Sequence, residues 1–314
     1  MIQHRLGRTG LDISACTLGT SALASPGADR REAGAMITRA LERGVNAVEL
    51  DGGHGRVADL LGEVLARTGA RRQMHVFARV TSLVRFDLPS PHIPAQQAYP
   101  GRHIRTETEA LLRTLGVERL GLQQIHAWCP EWLDEGDWLE TLERLREEGK
   151  IAGYGLSLWD HDLDAAATIL ARGVAGTVQL MHNIFDPSAT IGLLPFCQRA
   201  DIGVVARSPL YFGALGWDES RPALAPHDWR GGYFYDAHRR ETLARVHRLA
   251  REIAPSGQML PEVALRFALS HPAVTTVAVG MRTCAQLEAN LAAIERGPLQ
   301  ADEMKALAAH AWLC

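Results

Sequence analysis

Four side chains in this chain can move protons or hold charge, and each stands at or just past a short apolar run. They are Glu49 in VNAVEL, His54 shortly after it in DGGHG, Arg79 in HVFARV and His126 in LQQIHAW. A guanidinium is a planar fork that grips a carboxylate at two points, so Glu49 and Arg79 can form an ion pair. Arg79 cannot act as an acid, because an arginine pKa stays above about 12. An imidazole can, since it titrates near ~6.5 and is the commonest general acid or base. The set therefore reads as His54 giving or taking a proton, His126 donating to a substrate oxygen, and Glu49 and Arg79 tuning His54 in opposite directions. Plainer readings stand beside this one. Glu49 can be a carboxylate merely neutralised by Arg79, Arg79 can be structural or anion-binding, and His54 can be an exposed loop residue. His75, His161 and His271 read as surface or capping histidines.

Positioning such distant residues together requires a repeating scaffold, and the chain supplies one. Apolar runs of strand length recur at ACTLG, VNAVEL, MHVFARV, RLGLQQI, IAGYGLS, GTVQLM, IGVVARS and AVTTVAV. Between them lie stretches with apolar residues at helical spacing, such as Met36, Ile37, Ala40 and Leu41, often closed by a glycine such as Gly44, Gly69, Gly116 or Gly149. Near-continuous apolar strands alternating with helices predict a parallel sheet covered by helices. The first strand–helix turn, LGTSALASPG, lacks the glycine fingerprint of an open dinucleotide-binding sheet. The expected fold is therefore α/β: a (β/α)8 TIM barrel over residues 1–314 as one domain. HRLGRTGLDIS forms an N-terminal β-hairpin, and ADEMKALAAHAW forms a C-terminal extra helix. Residues 88–101 and 211–235 read as loops, rich in Pro and in Trp and Pro respectively. In such a barrel the active site lies at the carboxyl ends of the strands, where Glu49, His54, Arg79, His126, Ser157, Gln179 and Ser208 all fall.

Composition narrows the function classes. A formal charge of −3 over 314 residues, with no basic stripe, argues against nucleic-acid binding. No apolar run is long enough to span a bilayer, and MIQHRLGRTG lacks the apolar core of a signal peptide. Cys16, Cys129, Cys197, Cys284 and Cys314 are odd in number, widely spread and free of metal-ligand spacing. They read as reduced thiols in a cytoplasmic protein, with no metal site.

The blocks also carry a resemblance. LGRTGLDISACTLGT, GVNAVELDGGHGRVADLLG, ETEALLRTLGVERLGLQQIH, RSPLYFGAL and VAVGMRTCAQLEAN, in this order and spacing, resemble the aldo-keto reductases over nearly the whole chain. The resemblance implies an NADPH/NADP+-dependent carbonyl reductase with an Asp, Tyr, Lys and His tetrad. Glu49 stands where the family has Asp, His54 where it has the proton-donating Tyr, and Arg79 where it has Lys; His126 matches. It further implies a cofactor site made of Gly19 and Thr20, Ser157 and Gln179 for the nicotinamide carboxamide, Ser208, Leu210 and Gly213 for the pyrophosphate, and Gly280, Arg282, Gln286 and Asn290 for the adenosine half. Arg282 would pair a 2′-phosphate and favour NADPH over NADH. Leu158 replaces a usual Asn, and Arg207 an aromatic that stacks under the nicotinamide.

Two kinds of enzyme fit these residues. One is an NADPH-dependent oxidoreductase acting on a carbonyl, alcohol or conjugated small molecule, with His54 in the role of the lost Tyr. The other is a non-redox lyase, dehydratase or isomerase on the same barrel, using His54 and Glu49 for proton transfer. A protein that holds NADPH without turnover is a third reading. Trp128, Tyr211, Phe212, Trp217, Tyr233 and Phe234 have two readings: a pocket for a bulky or ring-bearing substrate, or rings that only pack the long loop onto the barrel. The partners expected are that small molecule and, at most, further copies of the chain in a small homo-oligomer; a monomer is equally consistent.

Overall fold

The structure is a computed structural model that describes residues 1–25, 27–51, 55–84, 93–217, 224, 228–253 and 257–313. Eight parallel strands close into a barrel: β3 (Cys16–Gly19), β4 (Ala47–Asp51), β5 (His75–Val80), β6 (Leu120–His126), β7 (Ile151–Ser157), β8 (Thr177–Met181), β9 (Gly203–Arg207) and β10 (Val274–Gly280), with β10 paired to both β9 and β3. The hairpin is present as β1 (Gln3–Arg5) antiparallel to β2 (Asp12–Ser14).

Helices cover the barrel: α1 (Arg30–Glu42), α2 (Gly55–Thr68), α3 (Ala95–Ala98), α4 (Gly101–Leu115), α5 (Trp138–Glu147), α6 (Ala167–Ala171), α7 (Leu193–Arg199), α8 (Arg230–Tyr233), α9 (Asp236–Ile253), α10 (Leu260–Leu269) and α11 (Cys284–Glu295). The expected C-terminal helix is α12 (Ala301–Leu307), shorter than its sequence pattern and followed by a 3₁₀ turn. The two segments read as loops both carry helical turns. Residues 88–101 include α3 and the start of α4, and 211–235 include a 3₁₀ segment at Tyr211–Gly216 and α8.

Local rules explain the boundaries. Asp29 caps α1 by accepting from the Glu32 N–H at 2.9 Å. Ala33, Met36, Ile37 and Ala40 then form its buried stripe. Helix α4 ends at Gly116, whose φ of 64° lies in the left-handed region.

The bottom of the barrel is closed by the hairpin. Leu6, Leu11 and Ile13 pack with the inward residues Ala47, Phe77, Leu122, Val205 and Ala278 in one buried cluster. The turn of the hairpin sits tightly on β9, because a Cβ at Gly7 would lie 2.2 Å from the Gly203 nitrogen. Gly7 also has a φ of 48°, so both space and backbone require glycine there.

Candidate active site

Strand periodicity decides which residues share the barrel interior. Glu49 and Asp51 are two apart on β4 and therefore face the same way. The register sets Asp51 opposite Arg79, Gln124 beside Arg79, His126 beside Ser157, and Ser157 beside Gln179. Side chains from five strands thus converge above the apolar plug.

Two charged clusters form there. Glu49, almost fully buried, accepts a hydrogen bond from Gln179 Nε2 at 2.7 Å, and its Oε1 lies 3.2 Å from Arg79 Nε. Arg79 Nη2 pairs with Asp51. Burial opposes the charge on Arg79, but Glu49 and Asp51, with Asp160 beyond, outweigh it and hold its pKa above the ordinary arginine value. On the far side, Arg207 pairs with Asp160 at 2.6 Å and donates to the Leu158 carbonyl at 2.7 Å. Arg207 thus ties the end of β9 to the segment after β7.

His126 lies between the two clusters. Its Nδ1 is 2.9 Å from Ser157 Oγ and 3.3 Å from the Ser157 carbonyl oxygen. The Trp159 ring sits 5.7 Å away, centroid to centroid. Burial pushes the imidazole well below its usual pKa, and the charges of Arg79 and Arg207 push it the same way, against the hydrogen bond that the ring can donate to the Ser157 carbonyl. His126 is accordingly neutral near pH 7. When Ser157 Oγ–H donates into Nδ1, Nε2 carries the hydrogen and is a donor. When Nδ1–H donates to the Ser157 carbonyl, Nε2 is an acceptor.

His54 lies outside the described residues, between Asp51 at the end of β4 and Gly55 at the start of α2. Of the four residues singled out at the start, three are brought to one mouth. Ser157 and Gln179 join them on β7 and β8.

Whether a dinucleotide suits this mouth can be tested on Gln179. A carboxylate only accepts, so Gln179 must present its NH₂ to Glu49 and its oxygen elsewhere. That oxygen is buried and has no hydrogen-bond partner. The orphaned acceptor fits the NH₂ of a carboxamide such as that of nicotinamide. The segment after β9 is equally suited to anionic groups. Ser208, Tyr211 and Phe212 have φ of 53°, 48° and 54°, and Gly213 has φ of 92°. Non-glycine residues rarely adopt such values, so the segment from Ser208 through Leu210 to Gly213 is held in a tight, preformed bend. Thr20 is buried past β3, and Gly19 packs so closely on β10 that a Cβ would lie 3.1 Å from the Val279 carbonyl carbon. Exposed Gly280 ends β10. Arg282 follows, its backbone N–H donating to Gln286 Oε1 at 2.8 Å and its guanidinium reaching Ser25 Oγ at 3.3 Å. Thr283 caps the N-terminus of α11, and Asn290 is buried on that helix.

The aromatic residues do not line a common pocket. Trp128 is 1 % exposed, its ring stacked edge-on against Trp132 and Trp138 and its Nε1–H donating to the Ala165 carbonyl. Tyr211, Phe212, Trp217, Tyr233 and Phe234 pack on one another, with His238 against Tyr211, Tyr233 and Phe234. They anchor the segment after β9, the packing role that is one of the two readings of these rings. His161 is not a bare surface residue either, because it pairs with buried Asp186 at 2.8 Å, which raises its pKa. His75 is half-buried and its pKa is lowered by burial. His271 does cap, with its Nδ1 accepting from the Ala273 N–H.

Three site residues escape the first sequence reading. Asp51 had a signal: two residues after Glu49 on a strand means the same face. Gln124 is fully buried with neither end of its carboxamide partnered, and its place next to Arg79 comes from register alone. Asp160 lies beyond a strand end, and only the tertiary fold sets it against Arg207.

Comparison with known proteins agrees with this architecture. Residues 15–311 match the Aldo/keto reductase family, and the chain belongs to it. An uncharacterized oxidoreductase of Bacillus subtilis strain 168, YqkF, is 26 % identical over 315 residues, covering 99 % of this chain and 96 % of the relative. The L-galactose dehydrogenase of Arabidopsis thaliana is 24 % identical, covering 92 % of this chain and 86 % of the relative. The solved holo form of aldo-keto reductase AKR11C1 from Bacillus halodurans superposes with a TM-score of 0.77 at 25 % identity, covering 99 % of this chain and 96 % of that one. The chain is an oxidoreductase of this family. No helix among its described residues is long and apolar enough to cross a membrane.

Proposed function

We propose that the chain is an NADPH-dependent oxidoreductase that interconverts a carbonyl and an alcohol on a small molecule. The observation that carries this reading is the unpartnered Gln179 carboxamide oxygen beside a neutral His126. It offers one acceptor for the cofactor's carboxamide and one imidazole for the reacting oxygen. Ser157 and Gln179 would hold the nicotinamide. Ser208, Leu210 and Gly213 would meet the pyrophosphate with backbone N–H groups, as bends and helix starts do. Arg282, Gln286 and Asn290 would hold the adenosine half, with Arg282 against the 2′-phosphate. When bound, the dinucleotide supplies or accepts a hydride.

The chain's own residues handle the proton. In reduction, His126 donates Nε2–H to the carbonyl oxygen while Ser157 Oγ–H satisfies Nδ1. His54, in its protonated form, gives the proton that the new alkoxide needs. In oxidation, His54 takes that proton back. Arg79 is held beside Glu49 and has no proton to release near neutral pH.

Rapid mixing of the protein with NADPH and a panel of carbonyls tests this, read at the reduced-nicotinamide absorbance band. Decay with at least one carbonyl is expected, and its loss in His54→Phe with only a mild loss in Arg79→Lys. Arg282→Ala should weaken NADPH by about tenfold or more while leaving NADH little changed, by fluorescence titration. No decay with any carbonyl would end the redox reading in favour of proton chemistry alone.

A further inference from the structure

Outside the barrel, between α2 and α4, lies a crevice separate from the residues assigned to the cofactor. The two helices pinch where a Cβ on Gly62 would lie 2.5 Å from the Thr114 carbonyl oxygen. Beside the pinch, Gly55, Ala58 and Ala110 are too small to close the gap. A cavity of about 200 Å³ is left against the barrel wall, room for a small ligand rather than a single water. Its floor is made by Leu50, Ala78 and Gln123, which alternate with the inward residues of β4, β5 and β6 and so face outward.

The polar lining is nearly all acceptor. Asp51, Asp59 and Glu107 bring three carboxylates, and Arg79, the one cation among the described lining residues, is already held by Glu49 and Asp51. Glu107 accepts the Thr81 N–H at 3.0 Å; the nearby His103 Nε2 is 3.7 Å from it but 2.7 Å from the Thr81 carbonyl. At the floor, Gln123 is 2 % exposed and its carboxamide oxygen has no hydrogen-bond partner. A buried acceptor without a donor is destabilising, and a donor entering the crevice would relieve it.

We propose that this crevice binds a small alkylammonium ion. Its N–H groups donate to Gln123 Oε1, its charge balances Asp59 and Glu107, and its stem packs on Leu50, Ala58 and Leu111. An ammonium carries only donors, which suits a lining of acceptors, and a neutral alcohol of the same length would leave the carboxylates unbalanced. The crevice shares Asp51 and Arg79 with the mouth of the barrel, but its binding does not require hydride transfer and is tested without turnover.

The test is isothermal titration of the full chain with butane-1,4-diammonium chloride, with butane-1,4-diol and sodium chloride as controls. Saturable one-site binding of the diammonium is expected at about millimolar affinity or tighter, and none for the diol. Gln123→Leu should weaken it by about tenfold. Asp59→Asn with Glu107→Gln, both at the rim, should do so at least as strongly and without loss of fold. If Gln123→Leu does not fold, Gln123→Glu serves instead and should tighten binding. Three results would overturn the proposal: heat that never saturates and is reproduced by sodium chloride, equal binding of the diol, or unchanged affinity in the rim double variant.

Discussion

The two ends of the same barrel interior differ in kind. At the bottom, Phe77 and Leu122 are wholly buried against the hairpin residues Leu6, Leu11 and Ile13. Two residues further along the same strands, Arg79 and Gln124 occupy the inward positions at the mouth, and His126 follows on β6. One periodicity therefore serves two ends: apolar contacts that need no direction, and charged groups that need partners. The bottom is held by packing. The mouth is held by Gln179 to Glu49, Glu49 and Asp51 to Arg79, and Arg207 to Asp160 and Leu158, so each buried charge has a partner.

That division is open to direct attack, the largest effect first. Leu122→Ala should cost about 3–5 kcal/mol in chemical denaturation, through lost burial and a cavity, while turnover per folded molecule holds. A selective loss of turnover would erase the distinction between the ends. His126→Gln should do the reverse: melting temperature within a few degrees of the parent, turnover down by ~10²–10⁴. Smaller still is the pH response. Burial holds His182 down to about pKa 4, and burial likewise holds His126 well below its usual range. Both are neutral in the folded state, while unfolded imidazoles take up protons near ~6.5. Stability from these two groups is thus complete above about pH 6.5 and drains as pH falls toward their folded values, by up to ~1.4 kcal/mol per pH unit for each histidine. His182→Leu should flatten that acid slope in urea midpoints measured between about pH 4 and 7. The mildest test lies at the rim. Thr283 caps α11 by accepting from the Gln286 N–H at 3.2 Å, so Thr283→Ala should cost ~1 kcal/mol, about 2–4 °C in calorimetry.

The barrel was legible because its signal is local. Apolar runs of strand length recur eight times, helical stripes lie between them and glycines such as Gly44 and Gly116 close several of those helices, and each follows from contacts within a few residues. The alternation within a strand also reached part of the mouth. Glu49, Arg79, His126, Ser157 and Gln179 stand at strand ends, and the structure gathers them. What the alternation could not show is pairing. Arg207 was read as a substitute for a ring, yet it is an ion-pair partner of Asp160, a residue 47 positions away and past a strand end. The aromatic residues left two readings open. Their composition suggests a ligand wall, but rings also attract rings, and Tyr211, Tyr233 and Phe234 satisfied one another first.

The sequence by itself determined the alternating strands and helices, the hairpin at the amino terminus and the list of strand-end residues with usable chemistry. These depend on period and residue type, which neighbours along the chain set. Only the tertiary structure decided that Glu49 spends one oxygen on both Gln179 and Arg79, that Asp51 takes Nη2 of that guanidinium, and that burial, helped by two arginines, holds His126 neutral. Those outcomes depend on distance and burial between strands far apart in the chain. A charge acts through the space around it, not through its place in the order of residues.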